Sequence, residues 1–141
     1  MKPMTFSMAA KIDDVDPMVL QLKAIAETVL DPDRVVAFEI AISEALTNVV
    51  RHGMIGREDE SVAIDLQPKD DGLVVVISET GTPVPPELIA NISDLDDLDQ
   101  FAESGRGIAL IKACADSLEY ASENGINRLF LRFSNSTELE K

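Results

Sequence analysis

Apolar residues recur every three or four positions in three segments of the chain, which predicts three helices that face a common core. The segments are residues 17–30, residues 33–52 and a stretch that starts near Gly105. The second segment has the most regular spacing, and its core-facing stripe consists of Val35, Phe38, Ile42, Leu46 and Val49. Gly53 follows this stripe and is typical of a residue that ends a helix.

Shorter segments have the alternation and composition of β-strands. Residues 4–10 alternate weakly and predict an edge strand. The remaining strands predict two hairpins, because turn-forming residues separate two pairs of apolar segments. In the first hairpin, residues 61–68 and 73–79 are joined through KDDG. In the second hairpin, residues 117–122 and 127–133 are joined through ENG.

This order of elements predicts an α+β fold, in which a mixed, mostly antiparallel sheet is covered on one face by helices in a two-layer sandwich. It lacks the alternating strand–helix–strand units of a doubly wound dinucleotide-binding fold. The length of 141 residues is enough for one core, so residues 1–141 are predicted to form a single domain.

Charge is the strongest signal in the composition: 26 acidic and 12 basic residues give a formal net charge of −14. An acidic surface repels phosphates, so nucleic acid and anionic membranes are not expected as partners, whereas a basic protein surface is. The longest apolar runs are too short to cross a bilayer, and no signal peptide is expected. The single cysteine, Cys114, fits the reducing cytoplasm.

The predicted helix 33–52 carries a polar arc opposite its apolar stripe. At about 100° per residue, Glu44, Asn48 and Arg51 lie close together around the helix. A carboxylate and a carboxamide one turn apart can hold a hydrated divalent cation, or the carboxylate can accept a proton. The alternative is a solvated helix face with an ordinary Glu–Arg pair.

Two glycine-containing segments are further candidates for chemistry. Gly105 and Gly107 flank Arg106 where a helix begins, which favours an anion site made of backbone N–H groups. Glu79 ends an apolar strand and Gly81 follows it, so this carboxylate could accept a hydrogen bond from the amine of a base. The alternatives are a glycine-rich turn with Arg106 in solvent, and an exposed acid in a turn.

The order of these features is more specific than any of them alone. The chain contains four features in succession: Glu-x-x-x-Asn on a long helix, acid-x-Gly at a strand end, an irregular segment, and Gly-x-Gly at the start of a helix. This order resembles the histidine-kinase-like ATPase superfamily, which has the Bergerat nucleotide-binding fold. Within it, ALTNVVRHG and SGRGIALIKACADSLEY look most like the anti-sigma-factor serine kinases of bacteria. The resemblance covers about residues 6–133.

The resemblance implies a role for each candidate residue. Glu44 would be the general base that takes a proton from a serine hydroxyl, and Asn48 would bind the Mg²⁺ that bridges the ATP phosphates. Glu79 would accept the adenine amine. The other nucleotide-binding positions would be Arg51, Gly81, Gly105, Arg106 and Gly107, and residues 82–104 would form the ATP lid.

The implied function is phosphorylation of a serine on an anti-anti-sigma antagonist by Mg-ATP, together with regulation of a sigma factor. A homodimer is also implied. Relatives usually have Asp where this chain has Glu79, and the extra methylene predicts weaker nucleotide binding. A non-catalytic binding module of the same fold, acting by partner sequestration, is therefore the alternative function. A sensor histidine kinase is disfavoured, because the lone histidine, His52, lies within the ATPase segment.

The implied lid is strongly acidic. Residues 80–104 contain no Lys or Arg and carry six acids, which are Glu87, Asp94, Asp96, Asp97, Asp99 and Glu103. Such a segment supplies no positive charge that could neutralise the ATP phosphates. It could be a docking surface for a basic patch on a partner, or simply a solvated loop.

Overall fold

The computed structural model describes residues 2–85 and 103–135, and within the second range it describes side chains from residue 107 onward. Residues 86–102, most of the predicted lid, lie outside the described residues. The helices are α1 (Val15–Ala26), α2 (Pro32–Asn48) and α3 (Glu103–Cys114), with a 3-10 turn at Ile12–Asp14 and a π turn at Val49–Gly53. The strands are β1 (Met4–Ala9), β2 (Ser61–Lys69), β3 (Gly72–Glu79), β4 (Ser117–Glu123) and β5 (Ile126–Ser134).

The strands form one sheet in the order β1-β2-β3-β5-β4. All four pairings between the described strands are antiparallel, and β1 lies at an edge as predicted. Both predicted hairpins are present. The turn between β4 and β5 has φ of 54° at Asn124 and 79° at Gly125, the left-handed values that a two-residue hairpin turn requires.

The helices cover one face of the sheet, with α2 between α1 and α3. Phe38 of α2 is fully buried, and its ring contacts that of Phe133 on β5 edge to face, with centroids 5.3 Å apart. Around them the predicted stripe residues Val35, Ile42 and Leu46 are also buried. The prediction of an α+β two-layer fold is therefore confirmed.

The ends of the helices differ from the predictions. α1 ends at Ala26 instead of Leu30, and the Thr28 hydroxyl donates to the Ile25 carbonyl just beyond it. The next helix begins at Pro32, whose ring disfavours helical backbone at the residue before it. α3 begins at Glu103, so Gly105 lies inside its first turn.

The end of α2 is the most informative difference. The helix widens into a π turn at Val49, which is closed by a 2.8 Å hydrogen bond from the Met54 N–H to the Val49 carbonyl. The helical segment ends at Gly53, as predicted, although Gly53 does not adopt a left-handed φ. The widened turn instead brings the Gly53 carbonyl to the end of β3, where it accepts the Thr82 N–H at 2.8 Å.

Candidate functional site

A cavity of about 240 Å³ lies between α2 with its π turn, α3, the end of β3 at Glu79 and the middle of β4 at Tyr120. Most of its wall is apolar and includes Ala45, Val49, Ile77, Ile108, Ile111 and Leu129. A small number of polar side chains interrupt this wall, among them Asn48 and Glu79. A mostly apolar cleft with a small number of fixed polar groups is the usual form of a small-molecule site.

Glu79 is held in the wall of this cavity. The β3–β5 register places it opposite Asn127, and both side chains are buried, at 7% and 1% exposure. Glu79 Oε1 accepts the Gly81 N–H at 2.6 Å and Asn127 Nδ2 at 3.1 Å. No residue in the described part of the chain donates to Oε2. That oxygen is therefore the acceptor that the carboxylate can offer to a ligand.

Two glycines bring the π turn against the exit of β3. A Cβ at Gly81 would overlap the Gly53 carbonyl oxygen and would lie 2.8 Å from the Met54 sulfur. Only glycine allows the two backbone segments to approach this closely. Glycine is therefore required at position 81 because a side chain there would meet the backbone of Gly53.

Asn48 on α2 meets α3 at Gly107. A Cβ at Gly107 would lie 2.6 Å from Asn48 Nδ2 and 3.0 Å from Oδ1. Gly107 therefore allows α3 to pack directly on the carboxamide, at the wall of the cavity. The first turn of α3, which contains Gly105 and Arg106, precedes this contact.

The other predicted site residues lie farther out. Glu44 is half-buried, one turn before Asn48 on α2, and does not line the cavity. Arg51 is exposed in the π turn and does not line the cavity either. Its predicted place in the arc with Glu44 and Asn48 assumed α-helical geometry through residue 52. α-Helical geometry ends at Asn48, so the helix end is corrected and the arc with Arg51 stays a prediction.

The sequence predictions did not include Asn127 or Tyr120. The Tyr120 hydroxyl lies at the cavity wall and accepts the Val84 N–H at 2.9 Å, which fixes the start of the segment that leaves Gly81. Burial raises the pKa of the Tyr120 hydroxyl and the nearby Glu79 carboxylate raises it further, whereas the Val84 N–H lowers it. Cross-strand register is the signal that could have identified these two residues. Asn127 pairs with Glu79 between β5 and β3, and Tyr120 pairs with Leu129 between β4 and β5.

Among the described residues, no group of three or more His, Cys, Asp or Glu side chains is arranged to hold a metal ion. The helices in the same part of the chain include none with the length and apolar character of a membrane span.

The profile of the histidine kinase-like ATPase domain matches residues 8–133. The chain belongs to this family. The resemblance to anti-sigma-factor kinases is confirmed by relatives within the family. "Serine-protein kinase RsbW" of Listeria innocua is 26% identical over 142 residues, which cover 97% of this chain and 90% of the relative. "Anti-sigma F factor" of Clostridium beijerinckii is 31% identical over 109 residues, which cover 68% of each chain.

The fold of the family is also found in a solved structure. The crystal structure of the RsbU and RsbW domains of Rv1364c from Mycobacterium tuberculosis matches 95% of this chain with a TM-score of 0.64 and 19% sequence identity. This chain spans 32% of that longer chain. At this identity, the match supports the α+β fold alone.

Proposed function

We propose that the cavity binds the adenine base of ATP and that the protein is an ATP-dependent protein serine kinase. The observation that carries the proposal is the buried Glu79 carboxylate, which has one oxygen engaged by the protein and one available in an apolar cavity. An apolar cleft suits the faces of a purine ring, and the available oxygen suits its exocyclic amine. The residues present therefore fit the base.

Asn48 is the proposed ligand of Mg²⁺. Its carboxamide lies at the cavity wall beside α3, and Mg²⁺ is commonly held by one or two protein oxygens together with substrate phosphates. When bound, Mg²⁺ would neutralise charge on the phosphates during transfer. Gly105, Arg106 and Gly107 in the first turns of α3 are the proposed phosphate contacts; the N–H of Gly105 is among those at the helix start that favour anions. Arg51 would add positive charge, and residues 82–104 would form the lid.

Glu44 is the proposed general base. It precedes Asn48 by one helical turn, so a serine hydroxyl bound near the phosphates would lie between the cavity and this carboxylate. Glu44 would take the hydroxyl proton while the serine oxygen attacks the terminal phosphorus of ATP and ADP leaves. General bases of this kind contribute about 10²- to 10⁴-fold in rate.

The proposed phosphoryl acceptor is a serine on an anti-anti-sigma antagonist, and the second partner is a sigma factor. The names of the relatives, a serine-protein kinase and an anti-sigma F factor, support a serine acceptor and a sigma-factor partner. The net charge of −14 favours partners with a basic surface. Homodimer formation and cytoplasmic residence belong to the same proposal, and light scattering would measure the mass in solution.

Transfer of labelled phosphate from Mg-ATP to a candidate anti-anti-sigma antagonist tests the proposal. We expect label on a serine with the wild type and a loss of at least about 100-fold in rate with Glu44→Gln. Glu39→Gln is the matched control, because Glu39 lies on the same helix and pairs with Lys23 at 3.1 Å, away from the cavity. Equal rates for Glu44→Gln and the wild type would exclude Glu44 as the base.

A non-catalytic binding module is the second candidate function. The presence of Glu79, where relatives usually have Asp, favours it. Calorimetry with ATP, ADP and Mg²⁺ separates the two candidates. Nucleotide binding that is abolished in Glu79→Ala, accompanied by serine labelling, supports the kinase; binding of the protein partner without nucleotide or transfer supports the module.

A further inference from the structure

Asn127 is buried beside Glu79, and its side-chain amide is saturated with hydrogen bonds. Its Nδ2 donates to Glu79 Oε1 at 3.1 Å and to the Gly81 carbonyl at 2.9 Å. Its Oδ1 accepts the Ser122 hydroxyl at 2.6 Å. An amide nitrogen has two protons to donate, so both of them are used here.

The chemistry of the partners fixes the orientation of this amide. The Gly81 carbonyl can only accept, so the Asn127 nitrogen, and not its oxygen, must face Gly81 and Glu79. The Ser122 hydroxyl occupies the opposite side. Glu79 Oε1 consequently receives two donors, one from Asn127 and one from the Gly81 N–H.

We propose that Asn127 is a positioning residue that determines base specificity. It holds Glu79 so that Oε1 is engaged inside the protein and Oε2 alone is presented to the cavity as an acceptor. The longer side chain of Glu79 needs such a restraint, because it has one more rotatable bond than Asp. A fixed acceptor selects a base with an amine at the purine 6-position and rejects one with a carbonyl there.

This inference rests on the proposed nucleotide site, so its test uses a ratio that depends on the base alone. ADP and IDP differ at the purine 6-position, where ADP has an amine and IDP has a carbonyl together with a proton on N1. The dissociation constant for IDP divided by that for ADP measures selectivity, and calorimetry with Mg²⁺ gives both values. Partial unfolding weakens both ligands equally and leaves the ratio unchanged.

Asn127→Leu removes the donor while keeping a similar side-chain shape. We expect the wild-type ratio of dissociation constants to be about 10 or more. The variant ratio should be lower by about fivefold or more, since the hydrogen bond from the base amine to Glu79 loses its fixed acceptor. Asn135→Leu is the matched control. Asn135 also uses its amide to bind backbone, at Asp31 N and the Val29 carbonyl, but none of these hydrogen bonds reaches Glu79. This control should lower the free energy of unfolding and leave the IDP-to-ADP ratio of dissociation constants unchanged.

Glu79→Gln tests the orientation directly. The two donors, Asn127 Nδ2 and the Gly81 N–H, require an oxygen at the inner position, so the new amide must turn its nitrogen toward the cavity. That nitrogen donates where Glu79 accepted. We therefore expect Glu79→Gln to bind IDP more tightly than ADP, with a ratio below one.

Each outcome bears on a different part of the argument. An unchanged ratio in Asn127→Leu, or an ADP preference that persists in Glu79→Gln, overturns this inference and leaves the nucleotide site in place. A wild type that binds neither ADP nor IDP overturns the proposed function and the inference together.

Discussion

Gly107 on α3 and Asn48 on α2 are in contact so close that a methyl group on Gly107 would lie 2.6 Å from the Asn48 amide nitrogen. The contact joins the first turns of α3, where phosphates are proposed to bind, to the proposed metal ligand. The obstacle to a side chain here is the end of the Asn48 side chain, which can move, and not the backbone of α2.

Gly107→Ala should therefore weaken Mg²⁺-dependent binding without lowering thermal stability. The added methyl displaces the Asn48 carboxamide, and we expect the affinity for ADP with Mg²⁺ to fall by about 10-fold, as for loss of one charge-assisted contact. The affinity measured in EDTA should change little. Thermal stability should stay equal or rise, because alanine favours a helix over glycine by about 1 kcal/mol. An equal loss with and without Mg²⁺ would mean that the added methyl disturbs the proposed phosphate contact and not the metal ligand.

Gly81→Ala and Gly53→Ala should differ, although the two glycines are in contact. A Cβ at Gly81 overlaps the backbone of Gly53, which cannot be moved aside by a rotamer change, so we expect a loss of about 1–3 kcal/mol or more in the free energy of unfolding. A Cβ at Gly53 lies 3.6 Å from the Thr82 carbonyl oxygen, an ordinary contact. Urea denaturation of both variants measures the difference, and equal destabilisation would contradict the assigned contact.

The core predicts a second pair of variants on α2. Phe38 is fully buried against Phe133, so Phe38→Ala should lower the free energy of unfolding by about 3–5 kcal/mol. Val36→Ala is the control from the same helix, because Val36 is 57% exposed and should change stability by no more than about 0.5 kcal/mol. A small effect at Phe38 would mean that the Phe38–Phe133 contact does not organise the core.

The elements that could be predicted from the sequence are those whose signal is local. The stripe on α2 and the ENG turn depend on residues within one helix or one hairpin, and both are present in the structure. Glu79 and Asn48 were also selected from the sequence, because Glu79 ends an apolar strand and Asn48 lies one helical turn after Glu44. Their packing partners were not predicted from the sequence.

Asn127 and the π turn show why the rest could not be predicted. Asn127 follows a turn and looks like a turn residue, yet its partner Glu79 is 48 residues away and is found only through the β3–β5 register. The π turn arises where Gly53 meets Thr82, a contact between distant segments. Helical periodicity alone therefore predicted α geometry to residue 52, whereas that geometry ends at Asn48.

Tyr120 should restrain the start of the segment beyond Gly81. Pro83, Pro85 and Pro86 have no N–H, so Val84 has the only backbone amide proton in residues 83–86, and Tyr120 accepts it. Tyr120→Phe removes the acceptor. We expect hydrogen exchange at Val84 to accelerate about fivefold, which corresponds to a net hydrogen bond of about 1 kcal/mol. The Thr82 amide, bonded to the Gly53 carbonyl, is the internal control, and equal acceleration at Thr82 would indicate general loosening instead.

The same hydroxyl predicts how stability depends on alkaline pH. Burial raises the pKa of Tyr120 in the folded protein above the value of about 10 that a free tyrosine has. Below about pH 10 both states keep the proton and the contribution of Tyr120 to stability is fully present. As the pH rises further, the unfolded state ionises first, and stability falls until the folded pKa is passed. Tyr120→Phe lacks this titration, so the wild type should lose more stability than the variant between about pH 9 and 11, as measured by urea denaturation. All other groups titrate in both proteins and cancel in the difference.

Because Tyr120 is the only tyrosine, its ultraviolet absorbance reports the ionisation directly. A titration midpoint in the folded protein at or below about pH 10 would contradict the burial of its hydroxyl.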